Sequence, residues 1–144
     1  MLIAGVWHEC DDTIVRPVIR GEIQGADGAW LKVPFLVDTG ADVTVLSADV
    51  LRALDLPAID SPGQLGGAGG VVESVVVAAE IRFTHDKGGK ATFKGDFAGC
   101  KNPTHLDMSV VGRDILDLFA LIVDRQGDVI ALLGQRHSYA IETR

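Results

Sequence analysis

A chain of 144 residues, 47% of them hydrophobic, is long enough for one compact core and too apolar to be disordered as a whole. A formal net charge of −7 argues against nucleic acid as the main partner. Two cysteines, Cys10 and Cys100, are too few for a disulfide scaffold and suit a reducing compartment, with a single bridge between them left open.

The N-terminus has neither a basic segment nor a long apolar run, so it does not read as a signal peptide. Residues 1–14 alternate poorly between polar and apolar and are expected to form a loose arm. Val15 to Gln24 sets β-branched residues between polar ones and predicts a strand. Gly25-Ala26-Asp27-Gly28 is a turn signal, and Trp30 to Val37 resumes the strand pattern, which predicts a hairpin ending at Asp38. Val43 to Leu46 predicts a short apolar strand. Ser47 can cap a following helix, whose apolar face is Val50, Leu51 and Leu54 and which Pro57 should end by about Leu56.

Pro62 to Gly70 is glycine-rich, with four glycines between Gly66 and Gly70. Val71 to Phe83 and Ala91 to Phe97 predict two strands around the turn Asp86-Lys87-Gly88-Gly89. Ser109-Val110-Val111 leads into Gly112, and Arg113 to Phe119 predicts a short helix. Ala120 to Val123 and Val129 to Leu133 flank a last turn at Arg125 to Asp128. Many short strands at close spacing favour a mostly β, closed barrel-like architecture with one or two short helices. The apolar runs 75–79 and 119–123 are too short to cross a bilayer, so no membrane partner is expected and a cytoplasmic protein is the default.

The stretch most informative about chemistry is Phe35-Leu36-Val37-Asp38-Thr39-Gly40-Ala41-Asp42-Val43-Thr44-Val45-Leu46-Ser47. A carboxylate leaves an apolar strand and enters a tight turn, where Gly40 permits a path that a side chain would obstruct and Thr39 offers a hydroxyl to tie the loop. Asp-Thr-Gly alone is a common turn tripeptide. Its flanks make it specific: apolar residues precede it, Ala-Asp-x-Thr-x-Leu-Ser follows, and about seventy residues later comes Val110-Val111-Gly112-Arg113-Asp114-Ile115-Leu116.

With both elements present in this order, the sequence resembles the retropepsin-like aspartic proteases over about Val15 to Leu133. The resemblance implies a closed acid-protease fold and a homodimer. It also implies catalysis by Asp38, within Asp38-Thr39-Gly40, without cofactor or metal. Two Asp38 carboxylates face to face would share a proton, one acting as base toward a bridging water and the other as acid toward the scissile carbonyl of an extended peptide. Since the chain holds a single Asp-Thr-Gly or Asp-Ser-Gly triplet, the second carboxylate must come from a second copy through C2 symmetry.

The resemblance further implies that Arg113 pairs with Asp42 and braces the active-site loops, with Gly112 and Asp114 in support. Gly112 would let the chain pass close beneath the loop. Gly66, Gly67, Ala68, Gly69 and Gly70 fall where the family places its flap, and with Ala41 and Asp42 would contact substrate; Gln64 and Leu65 are further candidates. The expected domain spans 15–134, followed by a tail at 135–144 as a candidate part of the dimer interface. The longer arm and the tail depart from the retroviral pattern.

Competing motifs are weak. Gly67-Ala68-Gly69 lacks the third glycine of a dinucleotide loop, since position 72 is valine, and no Walker A sequence occurs. His8, Cys10, Asp11 and Asp12, or Cys100 and His105, lack zinc-finger spacing. No local signature of a serine or cysteine hydrolase is present. The main alternative is a non-catalytic homodimeric module of the same fold that holds a peptide or protein in its groove.

Overall fold

The structure is a computed structural model, and it describes residues 1–67, 70–135 and 140–143. Its described strands are β1 (Leu2–Glu9), β2 (Val15–Gln24), β3 (Trp30–Val37), β4 (Val45–Leu46), β5 (Ala58–Gly67), β6 (Gly70–Thr84), β7 (Lys90–Cys100), β8 (Ser109–Val111), β9 (Ala120–Asp124) and β10 (Val129–Leu133), with helices α1 (Ala48–Leu54) and α2 (Arg113–Leu116). The protein is mostly β, as the sequence pattern predicts. The strands hydrogen-bond in the order β5-β6-β7-β4-β8-β3-β2-β1-β10-β9, and an additional β6–β2 pairing folds the sheet onto itself. No helix among the described residues is long and apolar enough to cross a membrane.

Alternation explains the core. Along β3, Val33, Phe35 and Val37 point inward, while Lys32 and Pro34 stay exposed. Ile19 and Ile23 of β2 and Val77, Ile81 and Phe83 of β6 close the other walls. Edge-to-face contacts run from Phe35 to Phe83 (5.7 Å), to Phe93 (6.1 Å) and to Phe119 (6.0 Å). Gly21 makes room for this row, because a Cβ there would lie 2.7 Å from the Phe83 ring.

The first residues correct an expectation. Leu2–Glu9 is no loose arm but a strand, with Ile3 in the core. Its first half pairs with β10 (Leu2↔Leu133 to Gly5↔Ile130) and its second half with β2 (Val6↔Val18 to Glu9↔Val15). Ile3 and Trp7, two residues of one parity, meet the core, but Leu2, Ala4 and Val6 of the other parity are apolar too, which hides the alternation that marks a strand in sequence.

Three boundaries also differ. Only Val45–Leu46 of the segment 43–46 pairs as a strand. Helix α1 stops at Leu54, before Pro57 can act, because Asp55 turns left-handed (φ 52°) and donates its N–H to Leu51 O. Helix α2 ends at Leu116, and Leu118 and Phe119 continue with tighter bonds to Ile115 O and Leu116 O. Ser47 caps α1 as expected, accepting the Val50 N–H at 3.4 Å. Both cysteines are free thiols. Of the tail, 140–143 carry no regular structure, and 136–139 and 144 lie outside the described residues.

Candidate active site

One pairing builds the site. Strands β3 and β8 run parallel, with Phe35↔Ser109, Leu36↔Val110 and Val37↔Val111. Parallel neighbours end side by side, so Asp38 and Gly112 emerge together although 74 residues separate them in the chain. Asp38 donates its backbone N–H to Val111 O (3.2 Å) and is half-buried, while Thr39 and Gly40 are exposed. The turn closes on itself: the Asp38 carboxylate accepts the Gly40 N–H at 2.9 Å, and Asp38 O accepts the Ala41 N–H at 3.2 Å. The carboxylate is thus held by its own loop.

The 112–114 corner is strapped beneath that loop. Arg113 N donates to Ala41 O (2.9 Å) and Asp114 N to Asp42 O (3.2 Å). Gly112 is buried, and a Cβ on it would stand 2.4 Å from Val43 O and 2.9 Å from Ala41 O, so only glycine fits the crossing. The Arg113 guanidinium pairs with the Asp42 carboxylate in the open, with side chains 46% and 80% exposed.

A second set of tethers lies deeper, built on Thr44 and Ser109, two residues to which the sequence pattern assigns no role. Thr44, fully buried, donates its hydroxyl to Asp114 Oδ1 (2.7 Å) and its N–H to Asp114 Oδ2 (2.9 Å), while its Oγ1 accepts the Gly112 N–H (3.2 Å). Ser109 Oγ accepts the Ser47 N–H (2.9 Å), both residues being buried. The available signal was a hydroxyl at an inward position of an apolar strand, in Val-Thr-Val-Leu and again in Ser-Val-Val. Among the described residues no buried side-chain polar atom lacks a partner.

The glycine-rich hairpin reaches the site through the sheet. Its arms pair at Gly66↔Val71 and Gly67↔Gly70, β6 pairs with β7, and β7 flanks β4 just beyond the Asp42 loop. Ala68 and Gly69 lie outside the described residues. No group of three or more His, Cys, Asp or Glu side chains is gathered as a metal site among the described residues. A shallow cleft of about 390 Å³, lined by Gln24, Leu56, Glu80, Lys94 and neighbours, includes none of these loop residues.

A family model described as aspartyl protease matches residues 19–94. The chain belongs to the aspartyl protease family. The match spans the Asp38 loop and both arms of the glycine hairpin. Among solved structures, the aspartyl protease fold here is similar to EIAV protease complexed with the inhibitor HBY-793, at 28% identity over 71% of this chain and 86% of that one, with a TM-score of 0.54. It is also similar to a retropepsin-like aspartic protease from Rickettsia conorii, at 19% identity over 92% and 88%, with a TM-score of 0.51. The chain is therefore a retropepsin-like member of the family. No curated protein matches it.

Proposed function

We propose that this protein is an aspartic endopeptidase whose site is completed by a second copy, each subunit contributing Asp38. One observation carries the reading: the chain's single Asp-Thr-Gly triplet sits in a turn locked from within and strapped from below, with Asp38 half-buried and Thr39 and Gly40 exposed beside it. A lone carboxylate there has no acid–base partner, and a two-fold axis supplies one. Asp42, Ala41 and the hairpin at Gly66–Gly70 are the proposed contacts for an extended peptide. The outer edge of β9 has no strand neighbour among the described residues, and Leu118, Ile122 and Val123 are exposed there, apolar surface that suits a second subunit. The proposed functional unit is 15–134 together with β1, in a reducing, cytoplasmic setting compatible with its two free thiols.

In the reaction, one carboxylate takes a proton from water as the oxygen adds to the scissile carbonyl carbon. The other, protonated, donates to the carbonyl oxygen. Collapse breaks the C–N bond: the departing amine takes the proton that came from water, and a hydroxyl of the diol returns a proton to the other carboxylate, which restores the dyad. No covalent intermediate forms.

Asp38→Asn tests this directly. The variant should fold and self-associate as wild type does while losing peptide cleavage, and adding it to wild type should depress activity by forming mixed dimers. Wild-type specific activity should fall on dilution below the dimer constant. Turnover retained by purified Asp38→Asn protein would end the proposal. A folded dimer that binds extended peptides and never cleaves them would favour the binding module instead.

A further inference from the structure

We infer that Thr44 is a positioning residue for the Asp38 carboxylate, acting through Gly112 and Asp114; the inference rests on the peptidase reading above. Thr44 joins three segments. Its hydroxyl and N–H hold both oxygens of Asp114, its Oγ1 receives the Gly112 N–H, and its carbonyl accepts the Ala98 N–H of β7 (3.3 Å). The Asp114 carboxylate takes a third donor from its own helix, Ile115 N at 2.9 Å. Every polar atom of Thr44 is engaged, and the side chain is fully buried.

The connection to the reacting group is short. Gly112 follows Val111, whose carbonyl receives the Asp38 N–H, and the next two amides, Arg113 and Asp114, hold Ala41 O and Asp42 O. The corner anchored by Thr44 is thus the floor on which the Asp38 turn rests. Valine would fill the same space but could neither accept from Gly112 nor donate to Asp114. The floor would lose its anchor, and a buried N–H would be left seeking another acceptor.

Two-fold symmetry amplifies any resulting shift. A displacement of each Asp38 along the line joining the pair changes their separation by twice that amount. A water held between two carboxylates tolerates little such error; a misplacement of about 1 Å can cost roughly 10²-fold in rate. The two arms of the pH–rate profile belong to the pair and depend on its separation, so they report geometry and not merely the amount of folded protein.

The experiment compares Thr44→Val with Thr44→Ser, which keeps the hydroxyl and drops only a methyl. For each variant, kcat, KM and the pH profile are measured on an extended peptide, and amide exchange is followed at Gly40, Asp42 and Gly112. Thr44→Val should lower kcat by about 10- to 100-fold with a smaller change in KM. It should also move the arms of the profile and speed exchange at those amides, while Thr44→Ser stays near wild type in all of these. If Thr44→Val does not fold, Asp114→Asn takes its place with the same expectations, since its amide group sets a donor against the Thr44 N–H. Unchanged kcat, profile and exchange in a folded variant would overturn the inference. So would a kcat loss with the profile arms unmoved, which is the mark of a merely structural role. An inactive wild type would instead overturn the peptidase reading, and the exchange measurement would still decide whether Thr44 holds the Asp38 loop.

Discussion

Two tethers join the same two segments of this chain, and they differ in depth. The Asp42–Arg113 ion pair links the loop after Asp38 to the start of α2 at the surface, with side chains 80% and 46% exposed. The Thr44–Asp114–Gly112 cluster links the same loop to the same helix through Thr44, which has no exposed surface, and the buried Gly112, although Asp114 itself is exposed. Formal charge makes the first look stronger. Solvent decides otherwise: an exposed pair contributes ~0–1 kcal/mol, whereas leaving a buried donor without its acceptor costs ~1–3 kcal/mol. In this protein a neutral hydroxyl in the dry layer is the firmer brace, and the charged pair above it is free to serve another purpose.

The comparison is sharpened most by the residue on which both tethers depend. In Gly112→Ala the new methyl would meet backbone oxygen of Val43 and of Ala41, with no flexible side chain to yield. Relieving that overlap must lift the α2 corner away from the Asp38 loop and break both tethers together. The expected loss is about 3 kcal/mol or more, at the upper end of overpacking costs. Urea unfolding at neutral pH measures it, and a loss under ~1 kcal/mol would show that the corner relaxes without cost and that neither tether holds it tightly.

How much of this could be read from the chain alone follows the same division. Strands Val15–Gln24 and Trp30–Val37 are legible to the residue, because a glycine turn separates them and β-branched and aromatic residues fill them. The Asp38 turn and Gly112 are legible as motifs, since a carboxylate in a glycine turn and a glycine at a tight crossing each require their residue type. The tethers of Thr44 and of Ser109 to Ser47 are not legible, because their partners lie 62 to 70 residues away and no local period encodes such a contact. Strand β1 is hidden for a different reason: its outward residues Leu2, Ala4 and Val6 are as apolar as its inward ones, so no alternation shows. The pairing of Asp42 with Arg113 was accessible only through resemblance to a family, since nothing in their spacing brings them together before β3 and β8 align.

Removing the surface tether should matter much less than disturbing the corner. Arg113→Ala is expected to cost ~0–1 kcal/mol in a dilute, monomeric sample. Above the dimer constant, the same variant measures whether the partner covers the pair. A cost that stays in that range at high concentration places the pair outside the interface. A cost that grows toward ~3–5 kcal/mol is what burial of a broken pair produces. A large loss already in the monomer would contradict the ranking of the two tethers.

A small effect is also expected where charge geometry is best but solvent still reaches both side chains, 32% and 48% exposed. Arg16 reaches Asp12 with both guanidinium nitrogens, at 2.8 and 2.7 Å, and the Ile14 N–H adds a bond at 3.0 Å. The Arg16 bonds, with the Ile14 amide second, hold the Asp12 carboxyl well below its ordinary value of 3.8, at about 2. A carboxyl depressed on folding contributes stability that is fully present above its unfolded value and is lost as pH falls through its folded one, so the window here runs from near 4 down to about 2. Arg16→Gln should therefore return the Asp12 titration toward its ordinary value, read by carboxyl-carbon NMR. Unfolding midpoints should differ little from wild type at pH 7, because both side chains remain partly exposed, and even that small difference should close between pH 4 and 2. If exposure outweighs ideal geometry, this bidentate pair will rank below the buried Thr44 hydroxyl in every stability measurement. If instead Arg16→Gln destabilises the protein as severely as Gly112→Ala does, burial is the wrong criterion for ranking the two tethers at the active site as well.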